Sequence, residues 1–262
     1  MRRISWVIVP AAAALALPRA ASAQTLGQRV TQSDGVVDVI YPSRPGVCGD
    51  GEGLIKNLLG RSMYVSGNST FSGHGSWSDR PCEHGPARVA VSVASGEITR
   101  LRAYVGPTRP ATAGRRTIET SAADASAWLS GLIANGTGGI PSEAMIPLIL
   151  ADGPEPWPLL LRVARDENRS RATRGAALLW LGNGVSEKLG LGDDEAKSDD
   201  DEMRQQAVFV LSQRPKSESV PELIDLAKHA KYPSVRRSAI FWLGQSGDPR
   251  AADTYAELLA GR

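Results

Sequence analysis

The chain is poor in the residues and signatures that most often carry chemistry. Its 262 residues include only two cysteines and three histidines. There is no Gly-x-Ser-x-Gly elbow, phosphate-binding loop, dinucleotide fingerprint or His-Glu-x-x-His helix, so the common sequence routes to hydrolase, nucleotide and zinc-protease chemistry are missing. Catalytic groups that converge from distant positions leave no such trace. The apolar run at 4–17, interrupted by Pro10, is short of the roughly 20 residues needed to span a bilayer.

That run instead sits in the three-part layout of a cleavable secretory signal, with Arg2 and Arg3 before it and Ala21-Ser22-Ala23 after it. Cleavage is expected after Ala23, giving a periplasmic or secreted protein. No cysteine lies beside the cleavage site to anchor a lipid, and Arg2-Arg3 lacks the flanking motif of twin-arginine export. Loss of Arg2, Arg3 and Arg19 would take the formal charge from +2 to −1. No basic field for nucleic acid is implied. Cys48 and Cys82 form an even count in a chain bound for an oxidising compartment, where a disulfide is the default expectation.

The rest of the chain divides by period. A small β-containing domain is expected over 24–105. Its clearest element is a hairpin: Arg88-Val89-Ala90-Val91-Ser92-Val93 alternates, Ala94-Ser95-Gly96 turns, and the run from Ile98 to Val105 alternates again. Val36-Val37-Asp38-Val39-Ile40-Tyr41 suggests a third strand, and the segment 53–59 a short helix. A lone hairpin is marginal in water, so the third strand and the disulfide are needed to hold it. The segment 106–120, with two prolines and Arg109, Arg115 and Arg116, reads as a linker. Helical signals begin at Ser121, which resembles the start of a capping box with Asp124, and they continue through 121–262.

Within the helical part a segment recurs. Thr173-Arg174-Gly175-Ala176-Ala177-Leu178-Leu179-Trp180-Leu181-Gly182 aligns with the segment from Met203-Arg204 to Leu211-Ser212, and both align with Val235-Arg236-Arg237-Ser238-Ala239-Ile240-Phe241-Trp242-Leu243-Gly244. A second segment, Val220-Pro221-Glu222-Leu223-Ile224, recurs as Ala252-Asp253-Thr254-Tyr255-Ala256. Two helices per unit at near-constant period define a stack of helical hairpins. Ser234 is expected to cap the helix starting at Val235. Gly244 and Gly247 are expected to end it, Asp248 and Pro249 to open the next, and Ser219-Val220-Pro221-Glu222 to form a capping box. In the first copy the second helix is expected to shrink to 185–189.

The Val-Arg-x-x-Ala-x-x-x-Leu-Gly pattern, followed by Gly247-Asp248-Pro249-Arg250-Ala251, resembles HEAT repeats, particularly the bacterial HEAT-like class grouped with phycobilisome lyases. The likeness covers about 156–259 and extends to exported bacterial HEAT-repeat proteins. It implies a mainly α fold, a short right-handed α-α solenoid preceded by the small disulfide-stapled β-containing domain. It also implies a curved scaffold for a protein partner, with Arg174, Arg204, Arg236 and Asp248 in a structural polar ladder. A bilin lyase is disfavoured, because those enzymes act on cytosolic proteins and fold likeness alone carries no activity.

Two clusters invite other readings. His74, Cys82 and His84, with Asp79 or Glu83, have metal-ligating residue types, but their spacing fits no familiar zinc pattern and an oxidised Cys82 cannot ligate. The acidic stretch 193–202 lacks the Asp-x-Asp-x-Asp-Gly spacing of a calcium loop and reads as a solvated loop at a helix start. No catalytic, cofactor or metal residue is therefore assigned. The expected function is an exported protein-interaction scaffold, the alternatives being a metal-dependent or hydrolytic enzyme using the His74, Cys82 and His84 region, or a structural envelope protein.

Overall fold

The computed structural model describes residues 24–66, 69–72, 81–107, 115–191 and 199–261. The expected leader, His74, Asp79 and most of the acidic stretch lie outside them.

A short helix α1 (Leu26–Val30), closed by a capping box between Thr25 and Gln28, leads into strand β1 (Gly35–Tyr41). The expected hairpin is β6 (Ala87–Ala94) and β7 (Glu97–Val105), and the sheet order is β7-β6-β1-β8. β1 pairs antiparallel with β6, Val37 opposite Val91 and Val39 opposite Val89. Alternation sends Val37, Val39, Tyr41, Val89, Val91, Leu101, Ala103 and Val105 to one buried face. The fourth strand corrects the expected linker at 106–120: β8 (Arg116–Glu119) pairs parallel with β1. Ile118 enters the core beside Val39, and the Arg116 guanidinium donates to the Arg29 and Val30 carbonyls at the end of α1.

A second sheet, in order β2-β3-β4-β5, joins β2 (Cys48–Gly49), β3 (Leu54–Leu58), β4 (Arg61–Ser66) and β5 (Ser69–Ser72). The segment 53–59 is thus a strand and not the expected helix. Its apolar pairs Leu54-Ile55 and Leu58-Leu59 fit helical spacing equally well, but Leu59 and Gly60 both take positive φ in a two-residue turn that folds β3 onto β4. The Cys48–Cys82 disulfide, with Cα atoms 5.3 Å apart, ties this sheet to the segment leading into β6. Gly49 lies where a Cβ would stand 2.4 Å from the Val105 carbonyl, so the two sheets meet there only because no side chain intervenes.

The helices cover the buried face of the first sheet. α2 (Ala122–Asn135) is capped by Ser121, α3 (Ile140–Glu143) and α4 (Met145–Leu150) follow, and Tyr41 donates its hydroxyl hydrogen to the Pro147 carbonyl at 2.8 Å. One hydrophobic cluster runs from Val30 through both sheets to Leu258.

The repeat region comprises α5 (Trp157–Arg165), α6 (Arg171–Lys188), α7 (Asp199–Ser212), α8 (Lys216–His229), α9 (Pro233–Gln245) and α10 (Pro249–Leu259). α6 is one continuous helix of 18 residues, where a break and a separate 185–189 helix were expected. Its glycines serve close approach: a Cβ on Gly184 would lie 2.5 Å from the Trp157 ring of α5. Capping also differs. Tyr232 is the N-cap of α9, while Ser234 is buried inside the helix and donates to Asp201 of α7 at 2.7 Å. α8 begins at Lys216, a turn before the expected box, and Ser219 donates to the Arg214 carbonyl. Asp248 caps α10 ahead of Pro249, as expected.

Spatial order departs from sequence order. Asp201 and Phe209 of α7 meet Ser234 and Trp242 of α9, so α7 and α9 run parallel, as successive repeats do. α6 lies on the other side of α9 and runs antiparallel to it, with Gly182 facing Ile240 and Gly244 facing Leu178. One layer is therefore α7, α9, α6 and the other α8, α10, α5. The copy that comes first in sequence closes the stack behind the last one.

Candidate interaction surface

The second layer is stitched by ion pairs between helices. Lys228 of α8 meets Glu257 of α10, and Asp253 of α10 accepts from Arg165 of α5 at 2.8 Å. These pairs link neighbours in the observed spatial order. The expected ladder of Arg174, Arg204, Arg236 and Asp248 is not what spans the units. Arg204 pairs within its own helix with Asp200 (3.3 Å) and Asp201 (3.0 Å) and stacks over Tyr232. Arg236 donates to the Ala227 carbonyl, Arg174 Nε has no hydrogen-bond partner among the described residues, and Asp248 accepts from the Arg250 amide and guanidinium. The Arg250 hydrogen bond is the main reason the Asp248 carboxyl is held below the usual range.

At the centre of the stack Tyr255 of α10 is fully buried and donates to the Ile240 carbonyl of α9. Burial pushes its phenol far up, while a hydrogen bond from the Gly244 amide opposes the shift. The hydroxyl sits between the Ile240 carbonyl and the Gly244 amide, two groups that an α-helix joins directly. Gly244 is needed here for space: its Cβ would be 2.8 Å from that hydroxyl.

The two ends of the stack are unlike. At the α6 end α3 and α4 pack on α6, Arg61 of β4 reaches Asn183 (3.4 Å), and Arg44 reaches Glu187 (3.9 Å) and Glu155 (3.7 Å). Burial raises the Glu187 carboxyl, with Arg44 opposing. At the α7 end Met203 and Val210 are 65% and 55% exposed, and Gln206 and Ala207 between them are also exposed. Spacings of three, four and seven residues place all four on one helix face. That face points away from α9, which takes Asp201, Phe209 and their turn. The repeat alignment explains it: Met203 and Val210 are equivalent to Val235 and Trp242, positions that are half-buried on α9, where Trp242 packs its ring 5.1 Å from Phe209. On α7 the same positions meet no preceding repeat among the described residues.

A second surface is an open groove of about 670 Å³ between α1 and α2, with Leu26, Ile98, Trp128 and Leu132 among its walls. Its apolar residues come from three separate elements, α1, β7 and α2, so no single periodic stretch of the sequence reveals it.

The candidate metal residues are not assembled among the described residues. Cys82 is bonded to Cys48, the Glu83 backbone pairs with Gly49, and His84 Nδ1 lies 3.0 Å from the Val47 carbonyl. No group of three or more His, Cys, Asp or Glu side chains among the described residues is placed to hold a metal ion. Asp200 and Asp201, at the end of the acidic stretch, belong to the first turn of α7 and are engaged by Arg204. No described helix is long and apolar enough to cross a membrane.

Comparison with known proteins agrees with the repeat geometry. The family model described as HEAT repeats matches residues 193–261, the segment that holds the parallel pair of units. No curated protein and no solved structure matches the chain.

Proposed function

We propose that the protein is an exported scaffold that binds another protein through its helical stack, with the α1–α2 groove as a second contact site. The observation that carries this reading is the HEAT-repeat pair at 193–261 ending on an apolar helix face without a neighbour among the described residues. Stacked helical repeats use such extended surfaces for partners, and exposed apolar patches mark interaction sites. Export is supported by the signal-like leader and by the Cys48–Cys82 bond, which persists in oxidising compartments.

The export half is tested by N-terminal sequencing of the protein recovered outside the cytoplasm. A chain beginning at Gln24 is expected, and a cytoplasmic chain with its leader intact would overturn it. The binding half is tested by affinity capture after cross-linking in the exported fraction. The same protein should be recovered repeatedly with the native chain and lost with Trp128→Ala in the groove or Val210→Glu on α7. Repeated capture of nothing, or of a protein indifferent to both substitutions, would remove the stack and groove as binding surfaces.

A further inference from the structure

We infer that the exposed face of α7 is a two-fold interface between copies of this chain, with α7 of each molecule packed antiparallel on α7 of the other. The inference goes beyond the scaffold reading, which leaves that face to any protein.

Three observations favour a second copy over other occupants. The first is that the stripe is its own complement. In an isologous contact residue i meets j while j meets i, and an antiparallel pairing centred between Gln206 and Ala207 sets Met203 of one copy against Val210 of the other, twice. Gln206 and Ala207, both exposed, meet across the axis.

The second is charge. The first turn of α7 carries exposed Glu202 beside Asp200 and Asp201, which Arg204 already engages, and exposed Arg214 follows its last turn. Antiparallel pairing brings the acidic end of each helix to the basic end of the other. A parallel arrangement would bring like ends together. The third is closure. The opposite end of the stack is covered by the chain's own α3 and α4 and reached by Arg61 and Arg44. A head-to-tail filament therefore has no free receiving end, and the pairing stops at two copies.

A 14-residue helix is about 21 Å long. A contact of that length stays near or below roughly 1,200 Å² in total, the range of weak, reversible association. The dimer should accordingly assemble at about micromolar concentration or above and loosen with salt, which screens the end charges.

The test uses the purified disulfide-bonded protein alone, so its outcome is independent of whether a heterologous partner exists. Sedimentation equilibrium across a concentration series should show a monomer–dimer equilibrium. Val210→Glu sets a carboxylate in both symmetry-related contacts and should weaken it by roughly tenfold or more. These positions are exposed, so an unchanged melting curve and an intact Cys48–Cys82 bond will show that the variant is folded. A Gln206→Cys variant, adjacent to the two-fold axis, should be joined into dimers by a short bis-maleimide, while Glu222→Cys on α8 should not. A native chain that stays monomeric to its solubility limit would overturn the inference. So would a dimer that Val210→Glu leaves intact, or a Gln206→Cys variant that joins no better than Glu222→Cys.

Discussion

Replacing Gly244 with alanine tests how tightly α9, α10 and α6 are locked together. Two opposing effects are expected. Alanine in a helix interior is favoured over glycine by about 1 kcal/mol. Against that, the new Cβ would stand 2.8 Å from the Tyr255 hydroxyl, and the next nearest atom is the Leu178 carbonyl at 3.4 Å. The hydroxyl is the tip of a rigid ring buried on all sides, so relief requires a shift of α10 or α9, and such overpacking typically costs about 1 to 3 kcal/mol. Gly244→Ala should therefore destabilise the native protein by about 1 kcal/mol. Tyr255→Phe alone loses the bond to the Ile240 carbonyl, worth about 1 kcal/mol net. In that background the obstacle to the Cβ is gone, and Gly244→Ala should stabilise by about 1 kcal/mol. The two changes are then coupled by about 2 kcal/mol, within the usual range for touching residues. Urea denaturation followed by circular dichroism, with the disulfide intact, measures all four corners of the cycle. Additivity within about 0.5 kcal/mol would show that the hydroxyl is not what excludes a side chain at 244.

Other outcomes follow from the same packing. Replacing Cys48 and Cys82 together by serine should lower stability by about 4 kcal/mol, from the chain-entropy term for a loop closed across 34 residues, measured by the same denaturation. Asp248→Ala should cost about 1 kcal/mol by removing the cap of α10, while Asp248→Asn keeps most of the cap. Because the folded carboxyl is held below 3.8, its contribution is present above that pH and is lost as pH falls through the lowered value. Acid titration of the Asp248→Asn variant should lack that part of the loss. Trp242→Ala should destabilise by about 2 to 3 kcal/mol, less than a fully buried tryptophan, since its ring is half-buried between Phe209 and Phe241. A change below about 0.5 kcal/mol, the size of an ordinary surface substitution, would place Trp242 outside the stack.

Much of the fold is legible because period and capping are local. Val89, Val91 and Val93 alternate with smaller or polar neighbours, and Ser121 and Asp248 stand before helices they do cap. The misreadings share a cause. The separate helix expected at 185–189 is the end of α6, where Gly182 and Gly184 give room to Tyr255 and Trp157, residues far away in sequence. Ser234 has the chemistry of a cap, but Asp201 on α7 claims its hydroxyl. Arg116-Thr117-Ile118-Glu119 has too few residues to show alternation, and only its parallel partner β1 makes it a strand. The order of the stack was out of reach for the same reason. The α6 segment resembles α9 in sequence, and nothing in that resemblance says it will pack antiparallel behind it.

The surface on α7 was half legible. The repeat alignment places Met203 and Val210 at positions that are half-buried on α9, so apolar residues there are expected. Their exposure depends on the first copy having moved to the other side of α9. The α1–α2 groove gave no linear signal, because Leu26, Ile98 and Trp128 come from three elements far apart in the chain.

Site-specific photo-cross-linking in living cells tests the proposed role most directly. A photoreactive residue at Val210 should yield covalent adducts with protein, either a second copy or a distinct partner, and one at Trp128 should report the groove. Absence of any protein adduct at Met203, Val210 and Trp128, from a chain shown to be folded and exported, would contradict an interaction scaffold.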